Sequence, residues 1–245
     1  MPRVARKRSR TGIYHIMIRG INRQNIFQDD EDREKFLQTV ARYTEKGDIK
    51  IYGYCLMNNH VHILIKDTNL AVTMRKICAS YVYWYNRKYK RCGHLYQDRF
   101  KSEVVEDDKY FLTVLRYIHQ NPVKAGLVKS ISDYKWSSFD EYLNTKKIVD
   151  VDFALEIMSK EQFVEYNNAE NQDSCLEYKV TIRIEDNEAR QIIKGIAKVK
   201  NVNEIKNFEK AQREKIIKQI KNDGRVSIRQ ISRVTGISYN SVRTI

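Results

Sequence analysis

Apolar and polar positions alternate with a period of two near the start of the chain, a pattern typical of β-strands. The alternation is clearest at residues 14–19 and 60–65, and further strands are expected at 49–57 and 102–105. The pair Asn58-Asn59 separates two of these stretches and tolerates the positive φ of a tight hairpin. The strands on either side of this pair are therefore expected to lie antiparallel.

The segments between and after the predicted strands have apolar residues at helical spacing. The acidic run 29–32 precedes the first helix, where the macrodipole favours negative charge. A second helix is expected over 70–90, and a third begins at Asp107-Asp108 and ends at Pro122. The resulting order is strand, helix, strand, strand, helix, strand, helix, which predicts an α+β fold with an antiparallel sheet and flanking helices.

The end of the chain has the pattern of three short helices, beginning at Asn207. Ser227 and Gln230 have the spacing of a capping box, and Gly236 lies in a tight turn between the second and third helices. This pattern predicts a helix-turn-helix, although a generic three-helix protein-interaction module would look similar. The candidate DNA-contacting residues in this module are Arg229, Tyr239, Asn240 and Arg243.

Charge is distributed unevenly along the 245 residues. Lysine and arginine number 45 against 31 acidic residues, a formal charge of +14 that favours a polyanionic partner such as nucleic acid. Residues 1–11 form a basic arm, 205–245 contain 10 basic and 3 acidic residues, and 145–204 contain 9 basic and 12 acidic residues. Between residues 81 and 101 aromatic and basic residues interleave, which suits single-stranded nucleic acid but also a partly buried aromatic core. The candidate DNA-binding cations are Arg3, Arg6, Lys7, Arg8, Arg19, Arg87, Lys88, Arg91, Arg99 and Lys101.

The four cysteines are widely spaced and include no Cys-x-x-Cys pair, which argues against a zinc ribbon or a disulfide framework. No apolar run approaches the roughly 18 residues that span a bilayer. The sequence therefore predicts a soluble cytoplasmic protein with no membrane partner.

Candidate chemistry lies in two short stretches. His60 and His62 share one face of the strand 60–65, and two neutral imidazoles so placed can bind a divalent cation if a third ligand comes from elsewhere. Tyr117 and Asn121 are four residues apart and share one face of the third helix. A phenol and an amide would then point in the same direction.

These motifs together resemble the HUH-type single-tyrosine transposases, in particular the IS200-like group of REP-associated tyrosine transposases. The resemblance covers residues 12–143 and includes the segments 14–20, 26–30, 60–62, 93–102, 117–126 and 136–138. It implies a ferredoxin-like palm, a nucleophilic Tyr117, and a Mg²⁺ or Mn²⁺ cofactor held by His60, His62 and Asn121. Related transposases usually have glutamine at the position of Asn121, so His119 and Gln120 are alternative third ligands.

The predicted organisation is a basic arm at 1–11, a catalytic domain at 12–143, an α-helical connector without evident chemistry at 144–204 and a helix-turn-helix module at 205–245. The predicted function is metal-dependent nicking and strand transfer of single-stranded or hairpin DNA through a covalent 5′-phosphotyrosine. A non-enzymatic DNA-binding regulator is the alternative, and single-stranded RNA binding is a third. A homodimer is compatible with the resemblance, and Tyr110 is the next candidate nucleophile.

Overall fold

Two hydrophobic cores organise the chain in the computed structural model, which describes residues 6–47, 49–177 and 184–245. The corresponding units are Met1–Glu177 and Tyr178–Ile245. Arg3, one of the predicted DNA-binding cations, lies outside the described residues.

The first unit is built on a sheet of four antiparallel strands in the order β2-β3-β1-β4. The strands are β1 (Ile13–Arg19), β2 (Lys50–Leu56), β3 (His60–Lys66) and β4 (Lys101–Val105). All but the ends of β1, β2 and β3 are buried, so both faces of these strands are covered.

Three helices alternate with the strands: α1 (Asp30–Thr44), α2 (Leu70–Lys88) and α3 (Asp108–Lys124). The element order predicted from the sequence is confirmed, and its first six elements follow the β-α-β-β-α-β order of ferredoxin-like folds. Local capping explains where two of the helices begin. Asp29 and Asp32 form a capping box at α1, and the Asp107 carboxylate accepts a hydrogen bond from the Tyr110 backbone N–H at α3.

The prediction that Pro122 ends α3 is wrong, because the helix continues to Lys124. Proline lacks only its own N–H, and the residues after it still donate backbone hydrogen bonds. Ala125 N–H donates to the Asn121 carbonyl and Leu127 N–H to the Pro122 carbonyl, both at 2.9 Å.

The segment predicted as a connector is divided between the two cores. Following α4 (Phe139–Leu143), the helices α5 (Asp152–Ile157) and α6 (Lys160–Asn168) belong to the first unit. Phe163 of α6 is fully buried and stacks on Tyr142 with 4.2 Å between ring centroids. The first unit therefore extends past the predicted boundary at residue 143, because these apolar side chains complete its core.

The second unit contains α7 (Asp186–Ala197), α8 (Lys210–Asp223), α9 (Ile228–Thr235) and α10 (Tyr239–Thr244). Its core includes Ala189 and Ile193 of α7, so it begins before the predicted boundary at residue 204. The Ser227–Gln230 capping box is present at α9, and Gly236 takes a φ of 73° after it. Within the described ranges, no helix is long and apolar enough to cross a membrane.

Candidate active site

The two histidines of β3 lie on the face of the sheet that α3 also contacts. Their ring centroids are 5.1 Å apart, and His62 is buried whereas His60 is partly exposed. In the register with β1, His60 is opposite Arg19 and His62 is opposite Met17. The predicted shared face of the two imidazoles is therefore present.

Helix α3 brings Tyr117 to the same place. The Tyr117 ring centroid is 5.6 Å from that of His62. A close approach of α3 to β2 is possible because Gly53 has no side chain: a Cβ there would lie 2.5 Å from Leu115 Cδ1. His119, on the same helix, is buried with Nε2 2.9 Å from Ser138 Oγ and so is engaged away from the predicted cation site.

Asn121 lies close to both Tyr117 and His60. Its side-chain amide donates to the Tyr117 backbone carbonyl at 3.2 Å, and its proximity raises the pKa of His60 and lowers the pKa of Tyr117. Burial outweighs the first effect and lowers the pKa of His60 to about 4, so the imidazole is neutral at physiological pH. The predicted third ligand is thus near both the predicted nucleophile and one predicted histidine ligand. The alternative Gln120 instead donates to the Asn167 carbonyl at 2.7 Å.

The hydroxyl of Tyr117 donates a hydrogen bond to the Glu177 carboxylate. Burial and then this hydrogen bond raise the pKa of Tyr117 well above its ordinary value. Glu177 lies within the segment 144–204, which was predicted to carry no chemistry, and no motif or spacing in the sequence singles it out. The same segment is tied to α3 by the ion pair between Arg116 Nε and Asp173 Oδ2 at 2.8 Å.

His15 of β1 is a second site residue that sequence reasoning did not assign. It is fully buried, and its Nε2 lies 2.9 Å from His62 Nδ1. Its ring centroid is 6.0 Å from that of Tyr117. Burial lowers the pKa of both imidazoles below the ordinary histidine value.

The donor set at this face fits the divalent cation that the family resemblance implies. Nδ1 of His60 is 2.6 Å from Asn59 Oδ1 and Nδ1 of His62 faces His15, so the other ring nitrogen, Nε2, would supply each ligand. Two imidazole nitrogens and one amide oxygen suit Mn²⁺, and Mg²⁺ less well. Among the described residues no group of three or more histidine, cysteine, aspartate or glutamate side chains could hold a metal ion.

The predicted DNA-binding cations fall into different environments. Lys88 is held by the carboxylates of Asp29, Glu31 and Asp32 at 2.7–2.9 Å. Arg6 lies over the Phe100 ring at 3.7 Å and lines a cavity of about 780 Å³ together with Lys7, Arg99 and Lys101.

Other predicted contacts lie on α2, near the N-terminus and in the second unit. On α2 Arg87 is exposed, and Tyr83 keeps 72% of its surface in solvent. Arg91 donates to Gln24 Oε1 at 3.2 Å. The exposed predicted residues elsewhere are Arg8, Arg229, Asn240 and Arg243, and Tyr239 is half-buried.

A comparison with protein families finds a match over the part of the chain that contains this site. Residues 9–121 match the family described as "Transposase IS200 like". This stretch is therefore similar to IS200-like transposases. The matched segment contains His15, His60, His62, Tyr117 and Asn121 and ends before Glu177.

Two individual proteins are similar to this chain in the same way. A putative REP-associated tyrosine transposase of Haemophilus influenzae is 28% identical over 123 residues, which cover 45% of this chain and 68% of that protein. A solved structure of a REP-associated tyrosine transposase bound to a REP hairpin matches with a TM-score of 0.51 and 18% identity, covering 62% of this chain and 90% of that one. The family resemblance expected from the sequence is confirmed, and the structural match shows a shared fold.

Proposed function

We propose that this chain is a metal-dependent DNA nickase and strand transferase that cleaves single-stranded or hairpin DNA through a 5′-phosphotyrosine at Tyr117. The observation that carries the proposal is the convergence of Tyr117, His62 and Asn121 on one face of a domain similar to IS200-like transposases. The solved relative is bound to a REP hairpin, which supports a hairpin as the DNA form.

The residues of the site have distinct tasks in this reaction. The Tyr117 oxygen attacks the scissile phosphorus, the 3′ oxygen of the neighbouring nucleotide leaves, and the hydroxyl proton is lost. Because burial and Glu177 raise the pKa of Tyr117, the phenol is protonated at neutral pH and is a weak nucleophile by itself. The nearby Asn121 side chain opposes this effect, because it lowers the pKa of Tyr117. The phosphotyrosine ester conserves the energy of the broken phosphodiester bond, so rejoining the strand needs no nucleotide cofactor.

His60, His62 and Asn121 would hold the Mg²⁺ or Mn²⁺ cofactor. When bound, the cation would withdraw charge from a non-bridging phosphate oxygen. The two imidazoles are neutral because burial, complete for His62 and partial for His60, lowers the pKa of each, and a metal ligand requires this protonation state.

DNA would be held by the basic side chains around this domain. Arg6, Lys7, Arg99 and Lys101 line one cavity, which supplies cations for phosphates. The exposed ring of Tyr83 on α2 is available for stacking against a base, with Arg87 one helical turn away.

The second unit would add a helix-turn-helix. Ser238 caps α10 by accepting a hydrogen bond from the Ser241 backbone N–H, and Gly236 allows the turn between α9 and α10. Arg229, Asn240 and Arg243 are exposed on these two helices and could contact DNA.

The deciding experiment is a nicking assay on labelled single-stranded and hairpin DNA with added Mn²⁺, followed on denaturing gels. We expect a covalent protein–DNA adduct that retains the label on the 3′ side of the nick, and we expect Tyr117→Phe to abolish it while DNA binding is preserved. Tyr110→Phe is the matched control, because Tyr110 is on the same helix but its hydroxyl donates to Glu103 Oε2 at 2.6 Å.

Two results would contradict the proposal. An adduct that persists in Tyr117→Phe but is lost in Tyr110→Phe would move the nucleophile to Tyr110. Binding without any nicking, with Mn²⁺ present, would favour the DNA-binding regulator.

A further inference from the structure

His15 makes a buried hydrogen bond to one of the two proposed histidine ligands. Its Nε2 is 2.9 Å from His62 Nδ1, the two ring centroids are 5.1 Å apart, and both side chains are at most 1% exposed. His15 is opposite Leu64 in the register between β1 and β3, so it reaches His62 diagonally across the strand pair. This contact is therefore built into the sheet and is shielded from water.

The direction of this hydrogen bond decides which nitrogen of His62 has a lone pair. A neutral imidazole carries one N–H, so one of the two rings donates and the other accepts. If His62 donates from Nδ1, its Nε2 lone pair can bind a cation. If His62 accepts at Nδ1, its Nε2 carries the proton and cannot be a ligand.

His15 is able to accept this hydrogen bond. Within the described residues its Nδ1 has no hydrogen-bond partner. Since no donor in this part of the chain points at Nδ1, this nitrogen does not have to act as an acceptor. The proton of His15 can therefore reside on Nδ1, which leaves Nε2 as an acceptor towards His62. Metal-bound histidines generally donate their second ring N–H to a nearby acceptor, which orients the ring and raises the basicity of the ligand.

We propose that His15 is a positioning residue for the cation site, accepting the Nδ1–H of His62 and so presenting His62 Nε2 to the metal. The inference rests on the proposed function, because it requires His62 to be a metal ligand. It adds a third histidine to the site, one that does not touch the cation.

The test compares two substitutions of His15 by calorimetric titration of the full chain with Mn²⁺ in the absence of DNA. His15→Phe keeps a ring of similar size but removes the acceptor, and we expect the affinity for Mn²⁺ to fall by about 10- to 100-fold. His15→Gln places an amide oxygen near the former position of Nε2 and should recover most of that loss. Met17→Leu is the matched control, because Met17 is the register partner of His62 and has no ring nitrogen that could accept its N–H.

Histidine-selective ¹⁵N spectra test the same inference in the unsubstituted protein. With saturating Mg²⁺, which is diamagnetic, we expect His62 to carry its proton on Nδ1 and His15 to carry its proton on Nδ1 as well. A proton on His15 Nε2 in that state would overturn the inference, and this measurement does not depend on the folding of any variant.

The titration also separates failure of this inference from failure of the proposed function. If His62→Ala leaves the affinity for Mn²⁺ unchanged, His62 is not a ligand and the proposed cation site fails. If His62→Ala loses affinity while His15→Phe binds Mn²⁺ as tightly as the unsubstituted protein, only the positioning role of His15 is overturned.

Discussion

At the scale of single residues, the main finding is the partner of the proposed nucleophile. The Tyr117 hydroxyl donates to the Glu177 carboxylate, which raises the pKa of the phenol and puts a negative charge where the proposed reaction would bring a phosphate. Glu177 is exposed, so its carboxylate can turn away into solvent when DNA binds. We therefore expect the charge of Glu177 to change the rate of cleavage only modestly.

We expect Glu177→Gln to raise the rate of single-turnover cleavage at neutral pH. The substitution removes the charge that repels the phosphate, and interactions of exposed charges are worth less than about 1 kcal/mol, which corresponds to an acceleration of about twofold to fivefold. Quenched-flow or manual sampling on labelled hairpin DNA would measure the rate. Glu170→Gln, an exposed acid in the same segment, is the control. Slower cleavage in Glu177→Gln would instead show that the carboxylate helps to remove the hydroxyl proton.

At the scale of elements, the position of α3 on the sheet decides whether the site is assembled. Leu115 of this helix packs over Gly53 of β2, and Leu115 is fully buried, so it has little room to move. Tyr117 and Asn121 follow on the same helix, and any shift of α3 relative to β3 separates them from the histidines. Because Gly53 has no side chain, α3 can pack close enough to the sheet to keep Tyr117 and Asn121 near the histidines.

We expect Gly53→Ala to destabilise the first unit by about 1–3 kcal/mol, the usual cost of inserting a methyl group into a packed core. Cleavage should fall more than DNA binding, because α3 carries the proposed nucleophile Tyr117. Urea unfolding followed by tryptophan fluorescence would measure the change, since Trp84 and Trp136 both lie in the first unit. Gly195→Ala is the control, because no atom lies within 4 Å of a Cβ added at Gly195. This variant should unfold at the same urea concentration as the unsubstituted chain. Equal stability of Gly53→Ala and the unsubstituted chain would contradict the close contact with Leu115.

At the scale of the whole molecule, the two units carry different parts of the proposed function. The site residues all belong to Met1–Glu177. Residues 178–245 contain 16 basic and 7 acidic residues, a net formal charge of +9, and include the proposed helix-turn-helix.

We expect a chain that ends at Glu177 to nick short oligonucleotides at high concentration but to bind its target more weakly. Fewer cations would neutralise phosphates, so the plot of log affinity against log salt should become flatter, its slope changing by about 0.9 for each phosphate that the second unit neutralises in the full chain. Fluorescence anisotropy over a salt series would measure both slopes. Arg229→Gln combined with Arg243→Gln in the full chain tests the helix-turn-helix without truncation. Identical slopes in all three proteins would argue against DNA binding by the second unit.

The amino-acid sequence by itself determined the order of the elements, the common face of His60 and His62 and the family resemblance. The elements and the histidine face depend on side-chain periodicity and on capping, which act between residues a few positions apart. The family resemblance depends on short motifs that are visible in the sequence itself. The prediction that α3 ends at Pro122 was wrong, because the hydrogen bonds of the following residues allow the helix to continue.

Only the tertiary structure decided the partners of the predicted site residues. Glu177 reaches Tyr117 across 60 positions of the chain, and His15 reaches His62 across 47. Such contacts arise when separately formed elements pack against each other, and no local periodicity encodes which side chains then meet. For the same reason the sequence placed domain boundaries near residues 143 and 204, whereas the buried side chains of α5, α6 and α7 assign that segment to two different cores.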